Sequence, residues 1–131
     1  MKKLERKELG DVIAVRDPKE EFKRETNIQQ YIHTSDDFEW GYGGAGPTDF
    51  ALNILLHFTH GDEPLSCKIA REFRDKYVAT LPRQGGTIPR STIEAFIEEK
   101  KKVLSADPAF QDYVQNFERT AGHKPMKGWG E

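Results

Sequence analysis

Residues 38–59 read FEWGYGGAGPTDFALNILLHFT, and this stretch decides the fold. It opens with aromatic side chains at alternate positions, Phe38, Trp40 and Tyr42, which is the period of a β-strand. It then passes through a glycine-rich loop and, from Pro47, becomes the most apolar segment of the chain. We therefore predict an aromatic strand, a glycine loop and a helix that is buried on most sides.

The start of this helix follows from its first residues. Pro47 suits the first helical position, where a missing N–H costs nothing. This places Gly46 at the N-cap and Asp49 at the third helical position, where a carboxylate meets the positive end of the helix dipole. A narrow polar stripe of Asp49, Asn53 and His57 interrupts the apolar surface. We expect this stripe either to face water, in which case Asn53 tolerates alanine, or to line a pocket under the glycine loop.

The same run carries a resemblance. The pattern FxWGYxGxGP, followed by an apolar helix, resembles the signature of a small uncharacterised domain family of bacteria and their phages. The later Leu81-Pro82 pair, the Gly85-Gly86 turn and a helix start near Ser91 are similar to that family as well. The resemblance spans roughly residues 28 to 97, so the N-terminus departs from the family and the C-terminus extends past it. It implies a bacterial or phage protein and brings no activity with it.

Length and composition limit the class of protein. The 131 residues, 32% charged and 36% hydrophobic, fit one globular domain, which we place at residues 9–121 between a flexible N-terminus (1–8) and a flexible tail (122–131). The lone Cys67 excludes an internal disulfide and suits a reducing compartment. No apolar run approaches the ~20 residues that span a bilayer. We therefore expect a cytoplasmic protein without membrane contact.

Shorter patterns predict the other strands. Residues 12–15 have high β propensity, residues 28–32 read as an extended segment, and residues 87–88 are a candidate fourth short strand. Between the first two, Asp17 is a candidate cap for a short helix through Lys23. Together with the aromatic strand, these segments predict a small antiparallel sheet.

Three further helices follow the central one. Asp62 is the predicted cap of the first, and Ser91 with Glu94 forms a capping box for the second. Asp107-Pro108 begins the third. The predicted fold class is α+β, with three or four short strands packed on a central apolar helix and three further helices.

The glycine loop is the first candidate site. Backbone N–H groups of Gly43, Gly44 and Gly46 at a helix N-terminus suit a phosphate, and Trp40 and Tyr42 could stack on a base if their face is open. Against this, Pro47 removes one donor and Asp49 places a negative charge nearby. The alternative is that the glycines allow a tight turn and the aromatic rings cover the core.

The polar stripe and the histidines are weaker candidates for chemistry. Asp49 and Asn53 could orient His57 as a general base, but no nucleophile stands at a defined spacing. The zinc-type residues His33, His57, His60 and Cys67 match no standard site. We therefore predict no catalytic residue, no metal and no cofactor.

A basic surface, Lys68, Arg71 and Arg74, is the last candidate. Acidic residues Glu72 and Asp75 interrupt it, and the net charge of the chain is −2. Binding to nucleic acid is therefore disfavoured.

These observations favour a small non-enzymatic binding protein of phage or bacterial type. The resemblance implies interference with a host or defence component as its role. The alternative is a nucleotide-binding protein, either a sponge for a signalling nucleotide or an enzyme acting on one, that uses the glycine loop. The expected partner is an unidentified protein or a small phosphate-bearing ligand, and the oligomeric state stays open.

Overall fold

The computed structural model describes residues 10–32 and 38–121. The flexible ends predicted at residues 1–8 and 122–131 lie outside these ranges, as does His33. Four α-helices are present in the described chain, and their bounds are Ala45–Phe58 (α1), Glu63–Phe73 (α2), Arg90–Ser105 (α3) and Pro108–Ala121 (α4). Helix α2 continues into one π-helical turn, Arg74–Val78, which we call the π turn.

Three strands form one antiparallel sheet. They are Val12–Arg16 (β1), Arg24–Thr26 (β2) and Gly85–Ile88 (β3), in the order β2-β1-β3. The central strand β1 pairs Val15 with Glu25 on one side and with Gly85 on the other. The α+β fold, with a small sheet and four helices, is confirmed.

Helix α1 is the centre of the core, as its apolar sequence predicts. Residues Phe50, Ile54 and Leu55 are fully buried, and α1 contacts α2, the π turn and α3. The inner face of the sheet adds Val12 and Ala14 to the same core. The prediction of a buried central helix is therefore confirmed.

The start of α1 differs from its prediction. The helix begins at Ala45 with Gly44 as the N-cap, so Gly46 and Pro47 lie inside the first turn. Proline is tolerated there because the first N–H groups of a helix have no intrahelical acceptor. Asp49 consequently lies in the second turn, away from the helix terminus.

Three other local predictions were wrong. Residues 38–42 and 28–32 are not strands, because side chains rather than a neighbouring strand bond their backbones. Arg24 Nε, for example, donates to Phe38 O at 2.9 Å. Residues after Asp17 form a hairpin turn instead of a helix, because the Asp17 carboxylate accepts the N–H groups of Lys19 and Glu20.

The helix starts give a mixed result. Asp62 caps α2 by accepting the Leu65 N–H at 3.2 Å, and α4 begins at Pro108 after Asp107. Helix α3 begins at Arg90 with Pro89 at the cap position, so the capping box at Ser91 does not form.

Candidate functional site

The polar stripe of α1 neither faces water nor lines a pocket under the glycine loop. Asp49 and Asn53 are fully buried and His57 is 2% exposed. The first two face residues 30–32, where Gln30 Nε2 donates to Asp49 Oδ2 at 2.7 Å. The expectation of a solvated stripe was therefore wrong.

Asn53 holds residues 31 and 32 in the way that a neighbouring strand would. Its Oδ1 accepts the N–H groups of Tyr31 (2.6 Å) and Ile32 (3.1 Å), and its Nδ2 donates to Ile32 O (3.0 Å). The same Nδ2 donates to Asp49 O at 2.8 Å, which ties it to its own helix. With its donors and acceptor engaged in this way, Asn53 is a structural residue.

Of the zinc-type residues, the structure describes His57, His60 and Cys67, and these three do not form a metal-binding group. The buried His57 ring meets the Phe58 ring edge-on at 5.8 Å, and within the described ranges no three His, Cys, Asp or Glu residues are placed to hold a metal. Burial, and then the charge of Glu63, raises the pKa of the Cys67 thiol. A raised pKa keeps the sulfur protonated, and the thiol form is a poor nucleophile and metal ligand.

Trp40 belongs to the core and not to an open stacking platform. It is 1% exposed, and its ring lies 5.8 Å from that of Phe50. Its Nε1 donates to Arg83 O at 3.0 Å. The guanidinium of Arg16 stacks on the ring, 5.1 Å from the centroid.

Arg16 is a buried cation whose guanidinium has three hydrogen-bonding partner residues in different parts of the chain. Its guanidinium forms a bidentate ion pair with Glu39 and donates to Arg83 O and Glu21 O, both at 2.7 Å. Burial alone raises the pKa of the Glu39 carboxyl, but the hydrogen bonds from Arg16 and the Trp40 N–H, with the charge of Arg24, bring that pKa below its ordinary value. The sequence reading gave no role to Arg16.

The glycine loop remains open to solvent at Tyr42, which is 49% exposed. The Tyr42 ring lies against Gly44, where a Cβ would fall 2.7 Å from Tyr42 Cε2. Gly41 has a φ of 89° and donates its N–H to Val78 O at 3.1 Å, which anchors the loop to the π turn. Among the residues described, no group accepts the N–H of Ala45 or Gly46 at the helix N-terminus.

Arg74, the first residue of the π turn, lies beside this terminus. Its Nη1 donates to Thr48 Oγ1 and its Nε to Asp75 Oδ1, both at 2.8 Å. A Cβ on Gly43 would lie 3.9 Å from Arg74 Nε. The same Cβ would lie 4.0 Å from Asp75 Oδ1, so the loop meets the Arg74–Asp75 ion pair where the sequence predicted the carboxylate of Asp49.

The predicted basic surface does not form one patch. Lys68 lies over the Tyr113 ring of α4, 5.2 Å from its centroid, whereas Arg74 turns toward α1. Arg71 is exposed on α2. Of these three basic residues, only Arg74 lies beside the glycine loop.

The sequence reading missed the outer face of the sheet, which is the face turned away from α1. Ile13 and Val15 point outward from β1 and are 47% and 51% exposed. The register places Thr87 across from Ile13, and Gly85 and Glu25 on either side of Val15. Residues 12–15 are all apolar, so the sequence carried no polar–apolar alternation that would mark one face of this strand as exposed.

Comparison with known proteins identifies a matching protein family. The model of a family of unknown function (DUF6166) matches residues 3–99. The match begins near the N-terminus, so the predicted N-terminal departure was wrong, while the last residues of α3, all of α4 and the rest of the chain after residue 99 lie beyond it. No curated protein and no solved structure matches the chain. No helix in the described ranges has the length and apolar character to cross a membrane.

Proposed function

The chain belongs to the DUF6166 family, whose function is unknown, and we propose from its own geometry that it is a small non-enzymatic binding protein that contacts a protein partner. The outer face of the sheet supports this proposal. Single exposed aliphatic side chains are common on protein surfaces, but Ile13 and Val15 stand side by side on the central strand. Their small neighbours Gly85 and Thr87 leave them accessible.

The energetics favour a partner on this face. Burying a Val or Ile side chain completely contributes about 1.5–3 kcal/mol, and roughly half of each is still exposed. The turn between β1 and β2 also exposes Phe22, at 86%. A large aromatic side chain of this kind is a common anchor at protein interfaces.

The cellular role of this proposal comes from the resemblance to bacterial and phage proteins. The protein acts in the cytoplasm of a bacterium, which is the host if a phage encodes it. Its partner is a host or defence component, and the binding interferes with that component.

Charge substitutions on the outer face test the proposal. We expect the double variant Ile13→Lys, Val15→Lys to lose the proteins that the tagged wild-type chain captures from a bacterial lysate. Val103→Lys is the matched control, because Val103 is an aliphatic residue of α3 that is 61% exposed. Capture of the same proteins by the double variant and the wild type would refute the role of this face.

A phosphate-bearing ligand at the glycine loop is the second candidate, and the position of Arg74 favours it. The loop combines two N–H groups at a helix N-terminus, a guanidinium beside Gly43 and the half-exposed ring of Tyr42. Anions bind at helix N-termini through such N–H groups and the helix dipole. A nucleotide would place its phosphate on the N–H groups and its base on Tyr42.

A thermal-shift screen tests this candidate. ATP, GTP and cyclic dinucleotides at millimolar concentration should raise the melting temperature if the loop binds phosphate. Arg74→Ala should abolish the shift, whereas Arg71→Ala, an exposed arginine of α2, should preserve it. Absence of any shift, or an equal shift in both variants, would exclude the loop.

A further inference from the structure

Within the described ranges, no strand pairs with the outer edge of β3. The hydrogen-bond pattern of the sheet shows which backbone groups point toward this edge of β3. Arg16 N donates to Gln84 O at 3.0 Å, and Asp17 N donates to Lys23 O at 2.8 Å. Even-numbered residues of β1 therefore bond to β3 and odd-numbered residues to β2, because the groups of a strand alternate in direction.

The register then assigns each residue of β3. Gly86 lies opposite Ala14 and Ile88 opposite Val12, so these two residues exchange hydrogen bonds with β1. Thr87 and Gly85 belong to the alternate pairs, and their main-chain groups point away from β1. The Gly85 N–H is engaged with Pro82 O at 2.9 Å.

Three main-chain groups remain along the edge: the Gly85 C=O, the Thr87 N–H and the Thr87 C=O. No group in residues 10–32 or 38–121 forms a hydrogen bond with any of them. They form an acceptor, donor, acceptor row, and Thr87 is exposed. An extended polypeptide presents the complementary row at the same spacing.

Nothing within β3 protects this edge. Natural edge strands carry charges, prolines or covering elements that discourage pairing. Strand β3 reads GGTI, with neither a charge nor a proline, and its two glycines have no side chain to reach over the edge. The edge also continues the outer face, because Thr87 lies across from Ile13.

We propose that this edge binds an extended segment of a partner protein as a fourth strand of the sheet. The inference rests on the proposed function and names the mode of contact. The partner segment is uncharged at its centre and carries Thr or aliphatic side chains toward the outer face, next to Thr87 and Ile13. Peptides that add a strand to a sheet edge obtain affinity from main-chain bonds and specificity from alternate side chains.

A second copy of this chain fits the edge less well. Antiparallel pairing of two β3 strands about Thr87 would place Pro89 of one copy opposite Gly85 of the other. Proline has no N–H, so the Gly85 C=O would stay unbonded.

Amide exchange and peptide titration test the proposal. In the free chain, the Thr87 amide should exchange at least tenfold faster than those of Gly86 and Ile88. The probe is the peptide acetyl-Lys-Thr-Val-Thr-Val-Thr-Val-Thr-Lys-amide, added to the 15N-labelled full chain. We expect shifts at Gly85–Ile88 and at least tenfold slower exchange at Thr87.

Three variants make the test specific. Thr87→Pro removes the outward N–H and keeps the bonds to β1, so affinity should fall at least tenfold. Thr87→Val keeps the N–H and should bind within twofold of the wild type. Thr26→Pro makes the same substitution at the other edge of the sheet, where the Thr26 N–H also points away from β1, and should also bind normally.

Several results would overturn the proposal. They are slow Thr87 exchange in the free monomer, self-association through this edge, and no shift at Gly85–Ile88 with millimolar peptide. Equal affinity of Thr87→Pro and the wild type for the peptide would also overturn the proposal. If Thr87→Pro does not fold, a peptide that is N-methylated at its central Val takes the place of this variant, and binding of that peptide would overturn the proposal. Shifts confined to Ile13 and Val15 would refute binding at the edge of β3 and leave the proposed function standing. The proposed function fails only if the lysine variants on the outer face keep their partners.

Discussion

Replacing Asn53 with alanine should lower the free energy of unfolding by at least about 2 kcal/mol. The substitution leaves the N–H groups of Tyr31 and Ile32 and the C=O of Ile32 without their partner. Each buried polar group left unsatisfied costs about 1–3 kcal/mol. The better helix propensity of alanine returns no more than about 0.7 kcal/mol, so the loss dominates.

Urea denaturation followed by circular dichroism measures this effect. Glu98→Ala is the matched control, because it replaces an exposed polar residue of α3 with the same side chain, and we expect a change within about 0.5 kcal/mol. A loss below 1 kcal/mol for Asn53→Ala would mean that residues 30–32 are not held by this side chain.

Replacing Arg16 with methionine should destabilise the protein by about 3–5 kcal/mol, which is the usual effect of removing one partner from a buried ion pair. Its side chain is 1% exposed, and methionine fills similar space without donors for Glu39, Glu21 O or Arg83 O. Arg83→Met is the matched control. Arg83 pairs with Glu21 in solvent, where both side chains are about 60% exposed, so its loss should cost less than about 1 kcal/mol.

The pH dependence gives Arg16→Met a second readout. The folded pKa of Glu39 lies below its ordinary value of 4.5, so its ion pair stabilises the fold above that pH. This stability is lost as the pH falls through the folded pKa, because the unfolded state then binds more protons. Arg16→Met should flatten the acid limb of the stability profile, and an unchanged acid limb would show that Glu39 owes its lowered pKa to other groups.

In the candidate sites, the sequence predicted features that depend on neighbouring residues and missed features that depend on residues far away in the chain. The exposed loop at Tyr42 and Gly43 was predictable, because glycines before an apolar helix require a tight turn. The placement of Arg74 beside that loop was not predictable, because it depends on the π turn and the periodicity of α2 does not predict such a turn. The fate of Asn53 was mistaken for the same reason, because its partners lie about twenty residues earlier in the chain.

The sequence by itself determined the elements whose cause is local. A segment that is apolar on most sides must be buried, so α1 lies at the centre. The β propensity of residues 12–15 produced a strand, and Asp62 determined the start of α2. Tertiary structure alone decided that residues 38–42 are not a strand, that Arg16 is buried and that no strand in the described ranges pairs with the outer edge of β3. Each of these depends on whether a hydrogen-bond partner distant in sequence is present, and local periodicity carries no information about such a partner.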